Sequence, residues 1–467
     1  MNILSAKNVY CIGIGGIGVS ALARLMHARG VKVVGSDLRE SAVTDSLKKI
    51  GIQIIIGQVK ENVKNFGPDL VIYSEDVSET SAGFAELSFA KTESIPVLTQ
   101  AEALGQLMED KYGIGVTGTN GKSTTTVMLG LILEEAGLDP IVLAGTMLAQ
   151  RNESQAFQGN TRVGQGKYLV AEADEYRAKM LHGHPKMAVI TNIAEDHLDF
   201  YKDLNDIKAA FLKYVLALPT DGVIVYNADD HNAVEVCRHA LCHKATFGIK
   251  HYADLQALNI RHVEGKQLFD LHYKDVNIGT VELNVPGQFN IANALAASLA
   301  AIRLGISFDV IQTTLSKFVL PWRRFEAVGL LGKAVVISDY AHHPAGVIAT
   351  IAAAKEFYPG KKILTVFQPH HRNRTKKLFK EFVESMLGAE TVIVPEIFDV
   401  AGREHGESIS SKDIVTELKK QGEDAYFTEN LEETGLLVTK MASDFDVILM
   451  MGAGDIDILA RKLTANK

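Results

Sequence analysis

Residues 113–126 read GIGVTGTNGKSTTT. The stretch starts as a short apolar strand and ends on a helix that continues through Val127, Met128, Leu129, Leu131 and Leu133. Between them lies a glycine turn carrying a lysine and a hydroxyl. Glycine lets backbone N–H groups close on an anion, and the start of a helix adds its positive dipole end. The pattern predicts a phosphate loop in which Gly118, Thr119, Asn120, Gly121 and Thr124 form the cradle, Lys122 supplies a point charge and Ser123 offers a hydroxyl to Mg²⁺. The loop is shorter than the GxxxxGK[ST] form, which would need glycine where Val116 stands. A tight turn with a solvated lysine is the competing reading. Strand, glycines, Lys-Ser pair and helix together favour the phosphate loop.

Upstream, Asn8–Ile14 reads as a buried strand, followed by GIGGIG at 13–18 and a helix through Ala21, Leu22, Leu25 and Met26. This is the GxGxxG fingerprint of a diphosphate-linked nucleotide site. A second strand, Val31–Ser36, ends on Asp37, where an acid would meet a ribose hydroxyl. Gly13, Gly15, Gly16, Ile17, Gly18 and Asp37 are the expected contacts, with Ser74 after a further strand at Leu70–Tyr73. Gln53–Ile56 and Pro96–Leu98 complete the strands, helices are expected near Ser41–Ile50 and Ala82–Ala90, and a linker near Gln106–Lys111. A glycine turn that only packs helix against strand is the plainer alternative.

Downstream, the strand Tyr168–Ala171 ends in Glu172-Ala173-Asp174-Glu175, and Met187–Ile190 runs into Thr191-Asn192-Ile193-Ala194-Glu195-Asp196-His197-Leu198-Asp199. Acids at the carboxyl ends of parallel strands sit where ligands bind in open α/β sheets, and beside a phosphate loop they suit Mg²⁺. Strands recur at Gly222–Val225 and Ala245–Phe247. Ala257–Val263, Leu268–Tyr273 and Thr280–Val285, with a turn at Glu264-Gly265-Lys266, read as a small antiparallel meander. Asn290 and Asn293 lie one turn apart at the start of a helix reaching about Leu304. Their amides suit either an adenine edge or helix capping.

Leu320-Pro321-Trp322-Arg323-Arg324-Phe325 opens a third α/β unit with strands Ala334–Ser338, Ile363–Phe367, Thr391–Val394 and Val447–Met450. Asp339-Tyr340-Ala341-His342-His343-Pro344 follows the first strand and Phe367-Gln368-Pro369-His370-His371-Arg372-Asn373-Arg374 the second, so both clusters fall on one ligand edge. Four histidines invite a zinc reading. Adjacent histidines tend to point apart, and no cysteine or HxxxH pair completes a tetrahedron. A cationic pocket for carboxylate and phosphate is favoured. Gly452-Ala453-Gly454-Asp455 reads as a structural turn.

With 467 residues the chain has room for two to four domains. A net charge of −8 argues against a nucleic-acid surface, and three cysteines without a CxxC pair argue against a disulfide framework. No leader pattern or apolar run of membrane-spanning length is present, so a cytoplasmic protein without membrane partners is expected.

GTNGKSTTT, EADE, TNIAEDHLDFY, PGQFNIANALAA, RRFE, DYAHHP and FQPHHRNRT occur in the order and spacing of the Mur ligases, over nearly the whole chain. The sequence is identified by this resemblance as a member of that family. GIGGIGVSALA, DYAHHP and FQPH resemble most the members that add L-alanine to UDP-N-acetylmuramate. The resemblance implies an α/β chain of three domains: a Rossmann-like UDP-substrate domain (1–107), a central ATP-binding domain with the meander (108–320) and a Rossmann-like C-terminal lid (321–467). It implies an ATP- and Mg²⁺-dependent ligase for peptidoglycan precursors, a monomer or weak homodimer. Lys122 would hold ATP phosphates, and Ser123, Glu172 and His197 the magnesium ions. Asn293, Arg324, Asp339 and His342 would reach ATP, and Tyr340, His342, His370 and Arg374 the amino acid. Lys122, His197 and His342 are the catalytic candidates, His342 for the amine proton or the oxyanion.

The chain departs from the alanine-adding pattern at several points. Asn120 replaces a histidine, and Tyr176-Arg177 replaces the Ser-Asp of EADESD. Ser74-Glu75-Asp76 replaces Ser-Ser-Ala, Gln100 replaces an arginine, and His371 stands where arginine is usual, with Arg372 one place later. Losing a cation and gaining two acids bears on sugar-nucleotide binding. The alternatives are a recycling ligase that attaches an intact tripeptide, a nicotinamide-dependent oxidoreductase using GxGxxG, and a non-catalytic nucleotide-binding regulator.

Overall fold

The computed structural model describes residues 2–148, 157–197, 200–263, 266–399 and 409–465. Leu198 and Asp199 of the His197 loop, and Glu264 and Gly265 of the expected turn, lie outside the described residues. The chain divides into two compact units. One runs from the N-terminus to Arg261 and includes Leu268–Leu283 and Asn290–Pro321; the other holds Trp322 onward with His262–Gln267 and Asn284–Phe289.

Three sheets carry the fold. The first has strands β1 (Asn8–Ile12), β2 (Lys32–Asp37), β3 (Gln53–Ile56), β4 (Leu70–Tyr73) and β5 (Val97–Thr99), in the order β3-β2-β1-β4-β5. All of its pairs are parallel. Parallel neighbours need a crossover, and helices such as Ile17–Ala28 and Ala42–Lys49 provide it. The second sheet comprises β6 (Tyr112–Thr117), β7 (Ile141–Leu143), β8 (Phe157–Gln158), β9 (Thr161–Arg162), β10 (Tyr168–Glu172), β11 (Met187–Ile190), β12 (Val223–Asn227), β13 (His243–Gly248), β14 (Leu255–Val263), β15 (Lys266–Tyr273) and β16 (Val276–Leu283). Its order is β16-β15-β14-β13-β12-β11-β6-β10-β7-β9-β8, so the meander strands follow one another at one end. The third sheet has β17 (Glu326–Leu331), β18 (Ala334–Asp339), β19 (Ile363–Phe367), β20 (Thr391–Pro395), β21 (Ala425–Thr428) and β22 (Val447–Met451), ordered β17-β18-β22-β19-β20-β21. Only β17 pairs antiparallel there.

The expected linker at Gln106–Lys111 is instead the end of the helix Gln100–Asp110, which feeds β6 after one residue. Its apolar face explains this. Ala103, Leu104, Leu107 and Met108 join a core with Leu22 and Leu25 of the first sheet's helix and Ile141, Leu143, Leu169 and Ala171 of the second sheet. One apolar cluster thus serves both sheets, and a solvated linker would expose it. Asn160 adds polar ties by donating to the Ile17 carbonyl and the Ser20 hydroxyl.

Strand β6 passes close to the helix Leu204–Leu216. A Cβ at Gly115 would lie 2.4 Å from the Tyr214 hydroxyl oxygen. That hydroxyl is buried without a partner among the described residues. Overpacking of this kind costs about 1–3 kcal/mol. Gly115→Ala is expected to lower the urea midpoint, Tyr214→Phe to leave it unchanged or raise it, and Gly115→Ala to cost less in the Tyr214→Phe background. Equal costs in both backgrounds would refute the clash.

Candidate active site

Parallel register sets where the polar residues emerge. Val116 pairs with Glu172 and Thr117 with Ile190, so β6, β10 and β11 end level. The phosphate-loop turn, the EADE segment and the His197 segment therefore leave the second sheet at one edge.

The loop is laced to the segment after β11. Thr119 N donates to the Asn192 carbonyl, Asn120 N to the Asn192 side-chain oxygen, and the Thr191 hydroxyl to the Asn120 carbonyl at 2.6 Å. Gly118 has φ 130°, and a Cβ there would meet Thr191 Oγ1 at 2.2 Å, so a larger residue is excluded on both counts. Gly121, φ 86°, is the N-cap of the helix Lys122–Glu135 and packs on Asn293. Asn293 is buried, accepting from the Thr125 hydroxyl at 3.4 Å and donating to the Asn290 side chain at 3.1 Å. It therefore braces the loop from behind.

Lys122 lies in the turn with 13% of its side chain exposed and pairs at 2.8 Å with Glu175, which is 3% exposed. Nζ also donates to the carbonyls of Gly118 and Thr119. Burial works against the ammonium charge, but the carboxylates of Glu175, Glu172 and Asp174 outweigh it and hold the group protonated. Ser123 Oγ donates to Glu172 at 2.7 Å. His197 Nε2 lies 3.5 Å from Glu175. Burial opposes its charged form too, and Glu175 with Asp196 and Asp174 raise its pKa overall. Tyr176 lays its ring on the His197 imidazole, with centroids 4.5 Å apart.

Two sets of hard donors thus flank Lys122: the Ser123 hydroxyl with Glu172, and Asp174, Glu175 and His197, whose donor atoms lie within 4.8 Å of one another. Carboxylate and hydroxyl oxygens are what Mg²⁺ takes beside phosphates, so the residues fit the ion. The sequence marks Asp174 and Glu175 only as strand-end acids suited to Mg²⁺ and Tyr176 only as a departure from EADESD; it does not pair Glu175 with Lys122 or place Tyr176 on His197. The strand-end position three residues beyond Glu172 was the available signal for Glu175.

On the first sheet, Ile12 pairs with Ser36 and with Tyr73, so Gly13–Gly18, Asp37 and Ser74 share an edge. Asp37 accepts the Gly15 amide at 2.8 Å. The helix starting at Ile17 has no side-chain cap at Gly16. Gln100 packs against Gly18.

In the second unit, Asp339 is half-buried at the end of β18, accepting from Phe325 N and Ala341 N, both at 2.7 Å. Burial raises its pKa against the pull of Arg324 and those amides. Arg323 and Arg324 both stack on Tyr340, at 4.8 and 5.0 Å. Arg323 also donates to the carbonyls of Gly452 and Gly454, which gives the structural turn its role. His342 Nδ1 lies 2.9 Å from the Tyr340 carbonyl, which only accepts, so Nδ1 carries hydrogen. The rings of His370 and His371, expected to point apart, meet edge to face at 4.1 Å. His371 takes φ 69° as N-cap of the helix Arg372–Lys377, turning its side chain back. The helix carries Arg374. Arg372 is tied to Asp399 and Glu396. His370 stacks on Phe398 at 5.5 Å and lies 6.5 Å from His342.

Burial, with the charges of His371, His342, Arg374 and Arg323, pulls the His370 pKa down to about 3. The unfolded chain then binds a proton below about pH 6.5 that the folded chain refuses, so stability falls as pH drops from 6.5 toward 3. His370→Asn is expected to remove about 2 kcal/mol of the stability lost between pH 7.5 and pH 5, read from urea melts at both values. An unchanged loss would contradict a neutral, buried His370.

Three stretches of the chain match family profiles: residues 8–112 the Mur ligase family catalytic domain, 116–301 the Mur ligase middle domain, and 323–454 the Mur ligase glutamate ligase domain. A UDP-N-acetylmuramate–L-alanine ligase of Alkaliphilus metalliredigens is 38% identical over 464 residues, 99% of this chain and 98% of that protein. One from Clostridium tetani is 39% identical, over 96% of each chain. The crystal structure of a UDP-N-acetylmuramate-alanine ligase from Thermotoga maritima superposes with a TM-score of 0.83 at 28% identity, covering 98% of each chain.

Proposed function

The chain belongs to the Mur ligase family, and from that premise we propose that it joins L-alanine to the carboxylate of UDP-N-acetylmuramate, with ATP converted to ADP and phosphate. The observation that carries the reading is the edge where Lys122, Ser123, Glu172, Glu175 and His197 meet. A carboxylate does not react with an amine at neutral pH. Transfer of the γ-phosphoryl group to the carboxylate gives an acyl phosphate with a good leaving group. Attack by the amine, through a tetrahedral intermediate, then yields the amide and phosphate. Such a transfer needs positioning and charge stabilisation more than covalent help from the protein.

Each group then has a task. The amides of 118–124 cradle the ATP phosphates, and Lys122 turns from Glu175 to the transferring group. Ser123 and Glu172, with His197 and its acidic neighbours, hold Mg²⁺, which supplies charge neutralisation at the phosphates. Asn293 keeps the loop in shape. The first sheet's edge, Gly13–Gly18 with Asp37 and Ser74, takes the UDP portion. Arg324, Asp339 and His342 serve ATP, while Tyr340, His342, His370 and Arg374 serve the amino acid. His342, with Nδ1 already donating, has Nε2 as its site for a proton. Segments 1–107, 108–320 and 321–467 are the corresponding domains. The proposal is of a cytoplasmic enzyme, monomeric or weakly dimeric, making peptidoglycan precursors; among the described residues no helix is long and apolar enough to cross a membrane.

The test is phosphate release from ATP and Mg²⁺ with UDP-N-acetylmuramate and each amino acid in turn, then with the L-alanyl tripeptide. Release is expected to be greatest with L-alanine, and Lys122→Ala should lower kcat/KM by about 10²-fold or more. Turnover with tripeptide alone would shift the assignment to a recycling ligase. Absence of turnover with every acceptor would exclude the reaction.

A further inference from the structure

The sequence departs from the alanine-adding pattern in two places that lie far apart in the chain, and the structure brings them together. One is the turn Ser74-Glu75-Asp76 after β4; the other is Tyr176-Arg177 after β10. Arg177 Nη1 donates to the Glu75 carbonyl at 2.6 Å and lies 3.7 Å from the Asp76 carboxylate. The cation on the second sheet thus meets one acid, Asp76, and the backbone of the other, Glu75, on the first.

Each end of this clasp leads to a binding edge. On the first sheet, Ser74 lies against the glycine turn, where a Cβ on Gly13 would be 3.4 Å from the Ser74 Cβ. The Ser74 hydroxyl accepts from Asp76 N, and Glu75 accepts from Ala101 N in the first turn of the helix Gln100–Asp110. On the second sheet, the Arg177 guanidinium sits 5.2 Å from the centre of the Tyr176 ring. Tyr176 in turn covers the His197 imidazole, and His197 faces Glu175, the partner of Lys122. Arg177 and Ala178 hold left-handed backbone at φ 54° and 55°. Non-glycine residues pay roughly 1–2 kcal/mol each for that geometry, so something must hold them there. The bond from Arg177 to the Glu75 carbonyl does so.

We propose that Arg177 is a positioning residue that couples occupation of the sugar-nucleotide turn to the phosphate site, through Glu75-Asp76 on one side and Tyr176-His197 on the other. The proposal rests on the assignment of UDP-N-acetylmuramate to the first sheet's edge. A ligand that orders the 74–76 turn anchors Arg177, which holds Tyr176 on His197 and so pre-sets the groups that receive the nucleotide. By reciprocity, ATP tightens the sugar nucleotide by the same factor.

The test measures binding rather than turnover. A non-hydrolysable ATP analogue with Mg²⁺ is titrated calorimetrically into the full chain, with and without saturating UDP-N-acetylmuramate, for wild type, Arg177→Ala and Arg177→Lys. The sugar nucleotide should tighten the analogue about fivefold or more in the wild type, within the usual range of coupling between sites. In Arg177→Ala that factor should fall toward one while affinity for the analogue alone changes less than about twofold, and Arg177→Lys, which keeps the charge, should recover part of it. Coupling equal in wild type and Arg177→Ala would overturn the proposal while leaving the ligase assignment intact. So would a wild-type factor of one, or an equal loss of affinity with and without the sugar nucleotide. Failure of the wild type to bind UDP-N-acetylmuramate at all would overturn both.

Discussion

A buried ammonium group cannot be left without anionic company, and the candidate active site is arranged around that constraint. Lys122 sits at the start of a helix, where the dipole is positive, and nearly all of its side chain is removed from water. Glu175 and the carbonyls of Gly118 and Thr119 compensate. The carboxylate in turn reaches His197, and its neighbours Glu172 and Asp174 add field. The site is therefore balanced within itself. Phosphates arriving beside Lys122 would replace Glu175 as its counter-charge, freeing that carboxylate for a metal ion. The ion pair holds the lysine in place.

The same balance explains why the loop is so heavily bonded to its surroundings. A short turn with two glycines at positive φ has little stiffness of its own. Its shape comes from Thr191 and Asn192 on one side and from Asn293 on the other. Parallel strands supply the frame. Because β6, β10 and β11 end in register, three segments from distant parts of the chain meet at one edge. The first and third sheets repeat the device, each placing its polar clusters at the carboxyl ends of central strands.

Much of this frame was legible in the sequence. Gln53–Ile56, Leu70–Tyr73, Met187–Ile190 and Ile363–Phe367 appear in the structure with the expected bounds. Most other strands differ by a residue or two, as ends do when no breaker marks them, while the strand expected at Thr280–Val285 starts four residues earlier, at Val276. The edge strands β17 and β21 and the short β7, β8 and β9 were not read. Their apolar runs are brief, and only their neighbours in the sheet define them. The linker expected at Gln106–Lys111 proved to be helix because Leu107 and Met108 belong to a core shared by two sheets, a fact of tertiary packing. At the site, the glycines, Lys122, Ser123 and Glu172 follow from local pattern. Glu175 as partner of Lys122, Tyr176 on His197 and Arg323 on the Gly452 and Gly454 carbonyls do not. These are contacts across more than 20 residues of chain, and side-chain direction decides them.

Backbone strain marks the same edges. His197, Arg177, Ala178, Arg323, Phe325 and His371 all take left-handed φ without being glycine, and all follow or flank strands that end at a candidate site or the turns beside it. An unconstrained loop would relax such residues at a gain of roughly 1–2 kcal/mol each. Here specific bonds oppose relaxation. Arg323 N donates to Glu326, Phe325 N to Asp339, His371 N to the Phe398 carbonyl, and the Arg177 side chain to the Glu75 carbonyl. Each bond aims a functional side chain that an ordinary turn would send elsewhere: Arg324 and Asp339 share the strained corner at 323–325, and His371 packs on His370. At 323–325 and 370–371 these bonds fix the geometry within the chain, which lowers the ordering left to ligand binding.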